Sequence, residues 1–269
     1  MINPPKLVLL FRFIVTFFSI DLVKTLQNGI SWKLIWADEF NNALIDPTKW
    51  NHNIGNYGSL EYYTDRTNNS FIKNGCLVIQ AVKESYKIFN FTSARVNSKE
   101  HFETQYGKFE MRAKLPCGNG SWPAFWLVGG HKGGTNSGEV DIMEFVAWNP
   151  HYVYGCIHSK GYDTSTTFFD ARGFHSDFHT YSVIWMSEAI WFYVDGVLYV
   201  QKTRQDAQKV GGQWPFDATG YKMYIILNLA VGGWAHTPDA SFHCPQQFII
   251  DYVRVWKMSN ATSTSKHLL

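Results

Sequence analysis

Three carboxylates fall within one short apolar run: Glu139, Asp141 and Glu144 in S-G-E-V-D-I-M-E-F, residues 137–145. Val140, Ile142, Met143 and Phe145 fill the gaps, and β-branched residues after Gly138 read as a strand. In a regular strand Glu139 and Asp141 share a face while Glu144 points the other way, into the core. An ionised carboxylate buried without a partner is costly. A β-bulge removes the conflict. If Ile142 and Met143 together oppose one partner residue, Glu144 rejoins the other two, and Val140, Phe145 and one of the bulge pair face the core. The outer carboxylates then have Cα atoms roughly 13 Å apart, and leaning across a concave sheet brings their side chains toward the ~5–5.5 Å of a retaining glycosidase. One Glu would attack a sugar, while the other, kept protonated by its neighbours, would protonate the leaving oxygen. Spacing alone leaves two further readings open, a solvated acidic strand and an oxygen-lined cation site.

A strand of this kind needs a sheet around it, and the chain supplies one from Trp32 onward. Lys108 to Leu115 alternates, with Phe109, Met111, Ala113 and Leu115 inward and Lys108, Glu110, Arg112 and Lys114 outward. Ile190–Val200 reads as a hairpin pivoting on Asp195-Gly196, a strong two-residue turn signal. Leu77–Val82, Tyr152–His158, Tyr181–Met186, Met223–Ala230 and Phe248–Trp256 are further strands, separated by Gly, Pro and Asn. No segment carries a long amphipathic helical period, and no repeat or linker divides the chain. The pattern is that of an all-β sandwich.

Composition narrows the partners. The chain has 269 residues with a net charge of only +2, and no basic cluster suggests nucleic acid. Aromatic residues reach 17%, with eleven Trp, and some of that mass must fill a large core. A surplus beyond the core would suit stacking against the apolar faces of pyranose rings, and with so modest a net charge a neutral polymer is the easier partner. Residues 1–25 stand apart: Lys6 precedes an apolar run from Leu7 to Ile20, too short to span a membrane and suited to a secretory signal. Such a route implies a secreted, extracellular protein with no membrane association once the signal is removed. A membrane-tethering or disordered extension is the alternative for this segment. Sequons at Asn68, Asn90, Asn119 and Asn260 become glycosylation candidates on that route. Cys76, Cys117, Cys156 and Cys244 fit no zinc motif by spacing; they allow one or two disulfides, or free buried thiols. Residues 259–269 read as a disordered Ser/Thr-rich tail.

The run E-V-D-I-M-E resembles the active-site signature of glycoside hydrolase family 16, in the bulged form of laminarinase-like endo-β-1,3-glucanases. The resemblance extends from about Trp32 to Trp256. It takes in W-A-D-E-F (36–40), F-T-S-A-R-V (91–96), Y-G-K-F-E-M-R-A-K-L-P (106–116), G-S-W-P-A-F-W (120–126), W-P-F-D (214–217), N-L-A-V-G-G (228–233) and D-Y-V-R-V-W (251–256). It implies a jelly-roll sandwich of two curved antiparallel sheets over residues 30–258, with a substrate cleft on the concave face. It also implies a monomeric enzyme acting on β-1,3-glucan with no cofactor required for catalysis. Glu139 would be the nucleophile, Glu144 the acid/base, and Asp141 the residue tuning charge and proton sharing between them. A β-glucan recognition protein that binds without cleaving is a competing reading, but such relatives have typically lost the carboxylates kept here. Hydrolysis of an algal galactan is a third.

Further residues follow from the same resemblance. Trp122 and Trp126, four apart in G-S-W-P-A-F-W, are sugar platforms, with a core role the alternative for Trp126. Arg95 matches a position that hydrogen-bonds bound glucan, and His158 one beside the acid/base carboxylate. His179 is expected to be structural. Glu39, Gly75 and Asp251 match a structural calcium site away from the cleft, and calcium favours such oxygen ligands. One departure stands out. Residues 56–64 read N-Y-G-S-L-E-Y-Y-T, with Tyr57 and Ser59 where laminarinase-like chains usually carry Asn and Glu. Sugar sites on the non-reducing side are therefore expected to differ.

Overall fold

The computed structural model describes residues 31–129, 138–243 and 245–259. The expected signal segment, Cys244, the Asn260 sequon and the tail beyond Ser259 lie outside them. Among the described residues seventeen strands, numbered in chain order, form two sheets. One runs β15 (Val197–Thr203), β14 (Ala189–Val194), β13 (His179–Trp185), β8 (Gly107–Lys114), β17 (Gln246–Ser259), β5 (Cys76–Tyr86), β6 (Phe89–Ser93), β3 (Glu61–Tyr63). β1 (Ser31–Asp38) adds to β17, and β4 (Ser70–Lys73) to β5. The other runs β12 (Tyr162–Phe169), β11 (Tyr152–Ser159), β10 (Glu139–Glu144), β9 (Ser121–Gly129), β16 (Met223–Val231), β7 (Arg95–Asn97), β2 (Asn51–His52). All strand pairings are antiparallel except β3 with β6. The architecture is a jelly roll.

The alternation in β8 is realised along its whole length: Phe109, Met111 and Ala113 are buried and the charged residues between them are not. These side chains meet Val140 of β10, Phe125 and Leu127 of β9, Ile225 and Leu227 of β16, and Phe248 and Val253 of β17 in one core. Each such burial contributes about 1.5–3 kcal/mol, so the core holds the two sheets face to face. At the β14–β15 turn Asp195 has φ 49° and Gly196 φ 75°, the paired left-handed conformations that twist a two-residue hairpin correctly. The Asp195 carboxylate accepts hydrogen bonds from Thr180 N at 2.8 Å and from His179 at 2.7 Å. His179 is buried on β13, away from the cleft residues described below, and serves the turn.

Helix is scarce. α1 (Arg204–Lys209) is a single short turn, capped where Thr203 and Asp206 exchange hydrogen bonds. Among the described residues, no helix is long and apolar enough to cross a membrane. One boundary moves. Ser259, expected in the tail, is the last residue of β17, pairing with Ser31 and donating its hydroxyl to Ser31 O at 2.7 Å.

Candidate active site

β10 lies between β9 and β11, and its register against both neighbours slips by one residue at the same place. Asp141 pairs with Trp126 and Glu144 with Ala124, leaving Ile142 and Met143 opposite Phe125 alone. On the other side Asp141 pairs with Cys156 and Glu144 with Tyr154, leaving the same two residues opposite Gly155. The bulge expected from the sequence is present, and Glu139, Asp141 and Glu144 line one cleft. The core account needs one correction: both Ile142 and Met143 are buried in the core, not one of them. They share the side of Phe125, which is itself buried. Opposite them Gly155 lets Tyr199 and Phe192 pack close against the sheet, since a Cβ there would lie 2.3 Å from Tyr199 Oη and 2.8 Å from Phe192 Cδ1.

Each carboxylate has its own surroundings. Glu144 accepts from Trp122 Nε1 at 3.0 Å and from Cys156 Sγ at 3.2 Å. Burial raises its pKa, against the pull of those two donors. Asp141 is only 4% exposed, and burial first, then the neighbouring Glu charges, push its pKa well up, against the pull of the facing His158 ring. His158 Nε2 stands 3.3 Å from Asp141 Oδ2, and Nδ1 stands 3.0 Å from Asp163 Oδ1. The ring is therefore held charged between two carboxylates, with Asp141 the largest cause of its raised pKa. Glu139 is also raised by burial, while His158 and Arg95 pull it back toward ionisation. Proton affinity is thus high across the trio, with the compensating positive charge concentrated beside Glu139 and Asp141.

The aromatic wall is equally specific. Trp126 is not core: its Nε1 donates to Asn228 Oδ1 at 2.8 Å, and its ring lies 4.8 Å from the Arg95 guanidinium. Tyr57 covers the other contact of Arg95, at 4.5 Å. The Tyr at the departure from the family pattern thus makes a cation–π partner for a cleft arginine. Trp122 meets Trp234 edge-on at 5.7 Å, and Trp234 meets Tyr154 at 4.6 Å. The cleft gathers Trp122, Trp126, Arg95 and the three acids; His158 reaches it through Asp141 and not through Glu144.

Several cleft residues escaped sequence reasoning. Glu61 is fully buried at the cleft wall, with Oε2 accepting from Val231 N at 2.7 Å. Asn228 and Tyr63 are joined by a 3.2 Å hydrogen bond and also line the wall. Cysteine counting offers Cys156 only as a disulfide candidate or a buried thiol. It is a free thiol, as are Cys76 and Cys117. In-phase placement with His158 on β11 was the available signal, because alternate residues share a face.

The residues matched to calcium do not fit that ion as they stand. Glu39 grips Arg254 through both oxygens, at 2.7 and 2.8 Å, and Asp251 accepts from Arg112 at 2.6 Å. A cation among Glu39, Gly75 and Asp251 would meet two guanidinium charges, and two of the three donors are committed to them.

Comparison with known proteins bears on what this cleft belongs to. The family model for glycosyl hydrolases family 16 matches residues 59–254. The chain belongs to this family. It is 37% identical over 253 residues to a beta-glucanase of Rhodothermus marinus, covering 84% of this chain and 85% of that protein. The catalytic domain of an endo-1,3-beta-glucanase (laminarinase) from Thermotoga petrophila superposes with a TM-score of 0.80 at 40% identity, covering 86% of this chain and all of that one. The endo-beta-1,3-glucanase of Pyrococcus furiosus superposes at 0.81 with 37% identity, covering 86% of this chain and 96% of that one. In family 16 terms, the β10 bulge is the local device that brings this chain's acids to one face.

Proposed function

We propose that this family 16 chain is a secreted, monomeric endo-β-1,3-glucanase that hydrolyses internal bonds of β-glucan with retention of configuration. The observation that carries it is the bulge at Ile142–Met143, which brings Glu139, Asp141 and Glu144 onto one cleft face beneath an aromatic wall. Glutamates at the two ends of that acidic face divide the labour. Glu144, buried and raised, holds the proton for the leaving oxygen. Glu139 sits beside Arg95 and His158, the cations that favour its ionised form, and attacks the anomeric carbon.

In the first step Glu139 forms a covalent bond to C1 as the glycosidic bond breaks, and the Glu144 proton passes to the departing oxygen. Charge left on Glu144 is received by two donors already in place, Trp122 Nε1 and Cys156 Sγ. In the second step Glu144 takes a proton from water, whose oxygen attacks C1 and releases Glu139. Asp141, bridging to His158, adjusts the charge between the two glutamates without touching the sugar. One chain supplies all of these groups, in keeping with a monomer. Secretion is supported by the apolar run at residues 7–20 and by exposed sequon residues Asn68 and Asn90.

The test is reducing-sugar release from laminarin, mixed-linkage glucan, xyloglucan and agarose side by side. Laminarin should be cleaved fastest, with viscosity falling before reducing ends accumulate. Glucose as the sole early product would overturn the endo reading, and faster release from agarose would overturn the substrate.

A further inference from the structure

We infer that Asp141, Cys156 and His158 form a binding site for a thiophilic divalent cation of the zinc class, and that a cation held there shuts the hydrolase off. The inhibition half of this inference rests on the function proposed above; the binding half does not. Cys156 and His158 alternate on β11 and so present one face, while Asp141 is the register partner of Cys156 on β10. One sulfur, one imidazole nitrogen and one carboxylate oxygen from these residues lie within 4.8 Å of one another. Tetrahedral zinc, with bonds of ~2.0–2.3 Å, needs its ligand atoms roughly 3.4–3.6 Å apart, so the set must contract by about an ångström. Thiolate and imidazole select zinc-class ions over calcium or magnesium, which prefer all-oxygen shells.

A second observation points the same way. Metal-binding histidines usually turn their other ring nitrogen to a carboxylate, which fixes the ring. Here Nδ1 of His158 faces Asp163 Oδ1 at 3.0 Å on the neighbouring strand, and Nε2 is the atom turned inward to Asp141. The buried Asp141 Oδ2 makes no well-formed hydrogen bond, although His158 Nε2 stands 3.3 Å away. That geometry leaves a buried acceptor aimed at the position a cation would take. The side chain of His158 is 33% exposed, which gives an ion a way in. Binding displaces the thiol proton of Cys156 and the Nε2 proton of His158 to solvent, and the carboxyl proton of Glu144 follows once that residue is held by the ion.

The consequence for catalysis follows from the fourth position. Glu144 Oε2 lies 3.2 Å from the Cys156 sulfur, so the acid/base carboxylate is placed to move in as the fourth ligand of a cation on that sulfur. A metal-held Glu144 has no proton to give. Glucan turnover therefore stops while substrate affinity through Trp126 and Arg95 is kept.

The experiment uses the full protein, stripped with a chelator and titrated with cobalt(II), then zinc. One equivalent of cobalt should produce a thiolate-to-metal charge-transfer band that zinc bleaches. Zinc should abolish laminarin hydrolysis over the same concentrations, and chelator should restore it. Cys156→Ser should lose the band, and its residual activity should need at least tenfold more zinc for half-inhibition. Asp163→Asn, an exposed change, should keep the band at saturation but weaken cobalt binding by about 10–100-fold. No band in the wild type, or an unchanged band and unchanged zinc sensitivity in Cys156→Ser, overturns the site. A saturated band with undiminished turnover overturns the inhibition. Because the band needs no substrate, failure of the glucanase reading leaves it standing, and its absence from a protein that cleaves laminarin removes only the metal site.

Discussion

Trp122→Phe separates two jobs that one side chain performs. The ring remains for a sugar to stack on, but the 3.0 Å hydrogen bond from Nε1 to Glu144 Oε1 is lost. A hydrogen bond to an ionised group is worth ~1.5–3 kcal/mol. Cys156 still donates to the other oxygen and the indole is only half-buried, so the lower figure applies. That bond is fully used only once Glu144 has given up its proton, so its loss falls on the transition state. At ~1.4 kcal/mol per decade, kcat on laminarin should fall about tenfold, with KM within about twofold of wild type. The pH profile adds a second readout. Trp122 lowers the pKa of Glu144 by favouring its ionised form, so removing it moves the pKa higher still. The alkaline limb of kcat/KM should therefore shift to higher pH. A several-fold rise in KM with kcat and the alkaline limb unchanged would refute this reasoning and leave Trp122 a stacking platform alone.

Other expectations follow from the same site. Glu139→Ala and Glu144→Gln should each lower laminarin turnover by at least a thousandfold with far-ultraviolet circular dichroism unchanged, and Asp141→Asn by less; full activity in either glutamate variant would contradict the assigned roles. Proton NMR of the first product should show the β-anomer before mutarotation, and an initial α-anomer would exclude the double displacement. Arg95→Lys, which removes a planar cation lying over Tyr57 and Trp126, should raise KM about fivefold with a smaller effect on kcat, on the ~0.5–1 kcal/mol scale of such contacts. Burial raises the folded-state pKa of Glu144, so the folded chain keeps a proton that the unfolded chain has released. Stability from this group is present below the unfolded pKa and lost as pH rises through the folded one. Glu144→Gln should accordingly raise Tm by a few degrees at neutral pH and not at pH 4, as calorimetry at the two pH values would show.

Much of this was legible because strands announce themselves with a period of two. The β8 alternation and the Asp195-Gly196 turn needed no tertiary information, and the bulge followed from the cost of burying Glu144. What the period does not encode is which face of a neighbouring strand meets a given residue. Cys156 looked like half of a disulfide because cysteine counting carries no register; pairing with Asp141 made it a donor to Glu144. Glu61 was hidden for a related reason, since its carboxylate is held at the cleft wall by the backbone amide of Val231, far along the chain. That both members of the bulge enter the core depends on their pairing with β9 and β11, which is visible only across strands. The ion pairs of Glu39 and Asp251 likewise join partners far apart in sequence, Arg254 and Arg112.

The placement of β17 also governs how this chain reaches its fold. This strand binds β5 along Gln246–Ile250, β8 along Ile249–Trp256 and β1 along Val253–Ser259, so a strand made after both β5 and β8 is a central one. Until it emerges, β5 and β8 present unpaired edges of the kind that recruit other chains. Synthesis at about 5–20 residues per second leaves those edges open for several seconds or more. Pairings that join residue 31 to residue 259 also place this protein among the slow folders, where distant segments must meet before any reward is gained. Refolding from denaturant should thus be slow and increasingly lossy as protein concentration rises. Loss of β17 would remove the seam of the sheet opposite the cleft, and with it the support on which the acids rest.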